Sequence, residues 1–390
     1  MFAVLNAARK PPGLIAFVLS LVALAACVPA TTGGGLAVNP DRPIPVALLV
    51  PGDSPVPSHA VIARSLENAA RMAIADLDGA RIDLRVYPTA GQPGRAAEAA
   101  SQAVDDGARI ILGPVFAEAA NAAGLAVAGR NVNVLSFSNN AGIAGGNVFV
   151  LGNTFRNTAD RLARFAVQQG KGDVMIVHGL DTAETIGRDA IAGAVTRAGG
   201  QVMAVASFGM SQTGLIDAIP LIAEEAGLSG AQSVFLTSGT DGALPLLTQL
   251  LKENGITPET TQYIGLRRWD IPASALALPG VQNGWFALPD PGLTARFNDR
   301  YTLAFGEPPH PIAGLAHDGI AAIGALAAAG RSDALTGAAL SHPAGFVGVN
   351  GVFRLLPDGT NERALAVAMI EDGQVVIIDP APGSFGGAGF

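Results

Sequence analysis

From residue 45 onward the chain alternates short β-branched and aliphatic runs with longer stretches whose apolar residues recur every three or four positions. Alternating the two patterns specifies strand then helix, and strands buried on both faces read as near-continuous apolar runs. Such a chain is expected to fold as parallel sheets with helices on both faces. Residues 46–50, 82–87, 109–112 and 132–136 form a first set of strand-like runs, and 173–178, 201–207, 233–237 and 262–266 a second, after a helical stretch at 158–169. Two such series predict two doubly wound parallel-sheet lobes, and 390 residues suffice for both. Ile62, Leu66, Ala69, Ala73 and Leu77 trace the apolar face of one helix, with Ser58 as its expected N-cap. The run at 285–288 suggests a return to the first lobe, followed by helices over 292–304 and 312–329. The second of these, rich in Ala and Gly on all sides, is expected to pack tightly there. Residues 346–356 and 364–378, joined through Pro357-Asp358-Gly359, read as a β-hairpin, and the end of the chain is a Gly-rich tail.

The amino end carries a separate signal. Arg9 and Lys10 precede the apolar run 14–26 (LIAFVLSLVALAA), no acid occurs before residue 27, and the single cysteine of the chain, Cys27, follows at once. A basic start, a short apolar core and small residues at the cut describe a secretory signal, and the run is shorter than the roughly 20 residues a membrane span needs. Leu24-Ala25-Ala26-Cys27 resembles the bacterial lipoprotein box, which implies a lipid on Cys27 and a periplasmic body anchored to a membrane through it. An ordinary signal cut or an uncleaved anchor are the other readings of the same residues. Residues 27–43, rich in Gly, Thr and Pro at the start, read as a flexible tether. One cysteine excludes an internal disulfide and a cysteine zinc cage. With 24 Lys+Arg against 32 Asp+Glu, a net charge of −8 and no basic run, the chain lacks the face that a nucleic-acid partner requires.

Catalytic signals are weak. His59, His178, His310, His317 and His342 are scattered, and neither a metal-binding His-x-x-x-His nor a Gly-x-Ser-x-Gly elbow is present. His317-Asp318 is a residue pair found in phosphohydrolase motifs, but neighbours on a helix point about 100° apart and do not grip one metal. Residues 142–146 (GIAGG) lack the Gly-Lys-Ser/Thr of a phosphate loop and read as a surface turn. Nothing calls for a cofactor, a metal or an enzymatic role. Ligands of doubly wound sheets bind beyond the carboxyl ends of the strands, where Ser136, Ser138, Asn139 and Asn140 follow one strand and Thr237, Ser238, Thr240 and Asp241 another. Short hydroxyl and amide groups there suit a small ligand, and they equally suit caps and turns. Trp269 is a candidate lid or a packing residue.

The order and spacing of VALLVP (46–51), IILGP (110–114), NVLSFS (133–138), DVMIVH (173–178), AQSVFL (231–236) and FVGVNGVFRLLPDG (346–359) resemble the type 1 periplasmic solute-binding proteins, in the leucine and branched-chain amino-acid receptor branch. The resemblance covers about residues 44–380. It implies a periplasmic binding protein-like I fold in which 44–156 and 288–341 form lobe 1, 157–287 and 342–381 form lobe 2, and 382–390 form the tail. Three crossovers, near 152–157, 287–290 and 342–345, would let the lobes close on a small-molecule ligand for an ABC-type permease. The ending VIIDPAP (376–382) and the lipoprotein box are similar to a subgroup of penicillin-binding-protein activators, which implies the alternative partner, a peptidoglycan synthase. The family's site carries over imperfectly. Val115-Phe116-Ala117 stands where receptors place a carboxylate-gripping serine, Ile186 where many carry an aromatic, and Arg267, beside Arg268, where leucine receptors offer a glutamate. A cation there favours a carboxylate or phosphate over an α-ammonium. Asp318 is expected to face the cleft, as receptors tend to put a polar or aromatic residue near it.

Overall fold

The computed structural model describes residues 34–39 and 42–386; the basic and apolar leader, Cys27 and the last residues of the tail lie outside them. The first sheet holds β1 (Ile44–Val50), β2 (Ile82–Pro88), β3 (Ile110–Leu112), β4 (Asn133–Ser136) and β5 (Val148–Val150), all parallel, in the order β2-β1-β3-β4-β5. Helices α1 (Pro57–Ala75), α2 (Pro93–Asp105) and α3 (Ala117–Val127) make its crossovers. After α4 (Phe155–Gln168) the pattern repeats: β6 (Asp173–Gly179), β7 (Gln201–Phe208), β8 (Ser233–Leu236), β9 (Gln262–Gly265) and β10 (Trp285–Leu288) lie in the order β7-β6-β8-β9-β10. Helices α5 (Thr182–Ala198), α6 (Gln212–Ser229) and α7 (Leu244–Glu253) join them. The two sheets thus share one strand order, that of a doubly wound α/β fold.

Why these runs form central strands follows from alternation across the pleat. In β1, Val46, Leu48 and Val50 enter one core and Ala47 and Leu49 the other, while in β6 Met175 and Val177 are divided from Val174 and Ile176 in the same way. Both faces are covered, so no polar alternation survives in the sequence. Helix α8 (Pro291–Phe305) and α9 (Ala313–Ala328) return to the first lobe. The small residues of α9 serve close packing as expected: a side chain at Gly319 would collide with Leu112 and one at Gly324 with Leu77.

Several expectations are corrected. Residues 285–288 form the fifth strand of the second sheet, paired with β9 and with β14 (Ala366–Glu371), so the return comes after Leu288. Helix α1 begins at Pro57 with Val56 before it, and Ser58 lies inside the helix because proline's fixed φ and missing N–H suit the first turn. The expected hairpin is two structures. β11 (Phe346–Gly348), β12 (Gly351–Leu355) and β13 (Asn361–Arg363) form a small sheet, the Pro-Asp-Gly turn joining β12 to β13, whereas β14 and β15 (Gln374–Asp379) add an antiparallel pair to the second sheet. Phe346, Phe353 and Leu355 are buried in the first core, so the third crossover falls after β13, beyond 342–345. Nor is the whole tether free of the body. Asn133 Nδ2 donates to the Gly34 carbonyl at 2.6 Å and Val38 is buried in the first core.

Trp269 is wholly buried in the second core and is neither lid nor ligand contact. A Cβ at Gly265 or at Gly284 would come within 2.2 Å of its indole ring. Gly265→Ala is therefore expected to destabilise the protein by about 1–3 kcal/mol through overpacking, seen as a lowered urea midpoint; an unchanged midpoint would show that the indole moves aside freely.

Candidate functional site

The carboxyl ends of β3, β4 and β5 and those of β8, β9 and β10 border one cleft, made of three cavities that share Asn139. On the first-lobe side a cavity of about 590 Å³ has apolar walls from Val115, Phe116, Phe137, Ile312 and Leu315, with Ser138, Asn139 and Asn153 as polar members. On the second-lobe side, cavities of about 410 and 360 Å³ hold Thr240, Asp241 and Arg267, and Phe155 and Ile186. Apolar walls with a few polar groups, at the mouths of parallel strands, suit a small molecule.

The structure brings six of the expected residues to this cleft. Asn139 and Asn140 are exposed, although Asn140 Oδ1 also accepts from Gly142 N at 2.8 Å as a cap. Ser138 is nearly buried and its Oγ accepts from Asn140 N at 3.1 Å, which leaves its O–H free to donate. Thr240 donates to the Ile271 carbonyl, and Asp241 is exposed. Arg267 is half-buried, its Nε donating to the Thr237 carbonyl at 3.2 Å and its guanidinium lying 5.6 Å from the Phe155 ring centre. It makes no ion pair among the described residues, whereas neighbouring Arg268 is held by Asp270.

The other expected residues do structural work. Ser136 is fully buried, donating to the Pro114 carbonyl at 3.0 Å and accepting from Ser138 N, which shapes the turn after β4. Ser238 is buried and donates to Glu184, which also accepts from Thr237 Oγ1 and Gly179 N, so the loops after β6 and β8 are tied to the first turn of α5. Asp318 is fully buried, accepting from Val349 N at 2.8 Å and pairing with Arg363 at 3.1 Å instead of facing the cleft. It is Arg363, from β13, that reaches the first-lobe cavity. Sequence reasoning missed Arg363, for which there was no local signal, and Phe137, which directly follows β4 and was legible by that position; Phe116 was placed at the family's site only for the serine it lacks, not as an apolar wall. Among the described residues no group of three His, Cys, Asp or Glu converges on a metal site.

A family model described as "Periplasmic binding protein" matches residues 43–374. The chain belongs to the periplasmic binding protein family. Solved structures of similar fold include a branched-chain amino acid ABC transporter periplasmic ligand-binding protein from Burkholderia xenovorans (17% identity, 86% of this chain and 96% of that one, TM-score 0.65). Another is an ABC transporter substrate-binding protein from Desulfitobacterium hafniense in complex with Leu (16% identity, 86% and 100%, TM-score 0.63). A third is a solute-binding protein of an ABC transporter from Rhodopseudomonas palustris in complex with 3,4-dihydroxybenzoic acid (16% identity, 88% and 97%, TM-score 0.59). No curated protein matches this one at a significant level.

The segments that link the two lobes after β5 and after β13 are tied to one another. Asn361 Nδ2 donates to the carbonyls of Val150 and Gly152, its own carbonyl accepts from Asn157 Nδ2, and Arg363 Nε donates to the Leu151 carbonyl at 2.8 Å. The buried Arg363–Asp318 pair anchors this knot to α9. Removing one partner of a buried pair strands the other charge. Asp318→Ala is expected to cost about 3–5 kcal/mol, measured by urea unfolding, and a loss below about 1 kcal/mol would show that the guanidinium finds water instead.

Proposed function

We propose that this periplasmic binding protein is a non-enzymatic solute receptor for ABC-type uptake, whose ligand is a small carboxylate with an apolar body. The observation that carries the reading is Arg267: a half-buried guanidinium without an acidic partner among the described residues, in the same cleft as Phe116 and Phe137. A bidentate guanidinium–carboxylate contact would fix the ligand's charged end. Ser138, Asn139 and Asn153 would supply hydrogen bonds to it, and the first-lobe wall would cover its body. Val115-Phe116-Ala117 after β3 and Arg267 after β9 argue against an ordinary α-amino acid. The complexes with leucine and with 3,4-dihydroxybenzoic acid are solved for proteins of this fold, and both ligands carry a carboxylate. Contacts to both lobes would favour the closed state.

A thermal-shift screen against amino acids, organic acids, sugars, nucleotides and peptidoglycan peptides tests this. A ligand at about 100 times its Kd adds roughly 2.7 kcal/mol, a shift of a few degrees. Carboxylates are expected to give that shift and Arg267→Gln to remove it without changing the melting temperature of the free protein. A flat screen would overturn the receptor in favour of the penicillin-binding-protein activator, with a peptidoglycan synthase as partner.

We place the protein in the periplasm on a lipid at Cys27. Cys27→Ser is then expected to move it from the membrane fraction to the soluble periplasm; retention on the membrane would identify residues 14–26 as an uncleaved anchor.

A further inference from the structure

A fourth cavity, of about 860 Å³, lies beside the crossovers and is built mainly from residues that take no part in the cleft. Arg156 and Arg164 of α4, Arg197 of α5 and Arg354 of β12 line it, against two acids, Asp160 and Glu362. Arg156 and Arg197 share Asp160, at 3.4 and 2.7 Å, and Arg354 is paired with Glu362. Two positive charges are therefore left over, in a chain of net charge −8 whose charged residues are only 14% of the total. This concentration of guanidinium groups is not what composition alone would place in one cavity.

The surplus has an identifiable home. Arg164 is half-buried and makes no ion pair among the described residues; its Nε donates only to the Asp160 carbonyl, at 3.0 Å. Burial pulls its pKa below the usual arginine value, with Arg161 and Arg197 acting in the same direction against Asp160 and Glu362. A second unmet donor stands in the wall. Arg363, whose side chain is 5% exposed, lines both this cavity and the first-lobe cavity of the cleft, and its Nη2 is buried without a hydrogen-bond partner. Buried guanidinium donors left unpaired are costly, and an anion is the ligand that satisfies several at once. The volume lies within the range of small-molecule sites.

We propose that this cavity is a second ligand site, distinct from the cleft, that takes a small polyanion bearing two or more carboxylate or phosphate groups. Arg164 and Arg197 on two helices of the second lobe and Arg354 on the small sheet hold the anion from separate sides, and the two positive charges left over after Asp160 and Glu362 are better matched by an anion with two or more charges than by a singly charged one.

Calorimetric titration of the purified protein at low ionic strength with inorganic pyrophosphate and with citrate tests the site. Saturable binding of at least one probe is expected, weakened about tenfold or more by Arg197→Gln, the loss of one charge-assisted contact, and by Arg164→Gln, and unchanged by Arg267→Gln. Preference for pyrophosphate identifies a phosphate ligand and preference for citrate a carboxylate one. Arg197 is half exposed, so its variant should fold and decides the matter if Arg164→Gln does not. No saturable binding of either probe overturns the proposal. So does binding that Arg267→Gln removes while Arg197→Gln keeps it, since the anion would then sit in the cleft. The cleft reading is separable, because its screen responds to Arg267 alone.

Discussion

The buried pair between Arg363 and Asp318 is the constraint on which the arrangement of the two lobes depends. Moving both charges out of water costs several kcal/mol each, and only close geometry with further hydrogen bonds recovers it. Here the recovery is shared among three parts of the chain: Asp318 on α9 accepts from Val349 N, and Arg363 on β13 donates to the Leu151 carbonyl just after β5. Asn361, two residues away, adds the carbonyls of Val150 and Gly152. A network that is this costly when incomplete holds the crossover segments in one register, and the cleft is positioned by that register.

Around this knot the two sheets repeat one strand order, so their carboxyl ends meet across the cleft with polar turns on both sides. Most charges near the crossovers are matched: Arg268 with Asp270, Arg354 with Glu362, Arg161 with Asp379. Against that background Arg267 and Arg164 stand out as guanidinium groups without an acidic partner among the described residues. The first, beside aromatic walls, is the basis of the proposed carboxylate site, and the second, among further arginines, that of the proposed polyanion site.

The site was only partly legible in the sequence, for reasons that Ser136 and Ser138 make plain. Both hydroxyls follow the same strand, yet Ser136 turns inward to close a turn while Ser138 keeps a free donor in the cleft. Position at a strand end identifies the neighbourhood, but rotamer and burial decide which side chain is spent on backbone groups. Trp269 and Asp318 were drawn into the core by tertiary contacts: an indole seated between nearby Gly265 and the more distant Gly284, and a carboxylate taken by an arginine 45 residues away. Arg363 carried no local signal because its partners lie on segments remote in sequence.

By itself the sequence determined the alternation of strands and helices, the two doubly wound lobes and the polar strand ends, because apolar periodicity is a local property set by burial on both faces of a sheet. It also carried, as a contiguous signal, the run before Cys27 that resembles a lipoprotein box. Only the tertiary structure decided that residues 346–356 join the first core while 366–379 extend the second sheet, and that the stretch 34–39 packs on the body. It alone decided which arginines end up paired. Those outcomes turn on which distant segment competes best for each buried surface or charge, and that competition is settled only when the whole chain is folded.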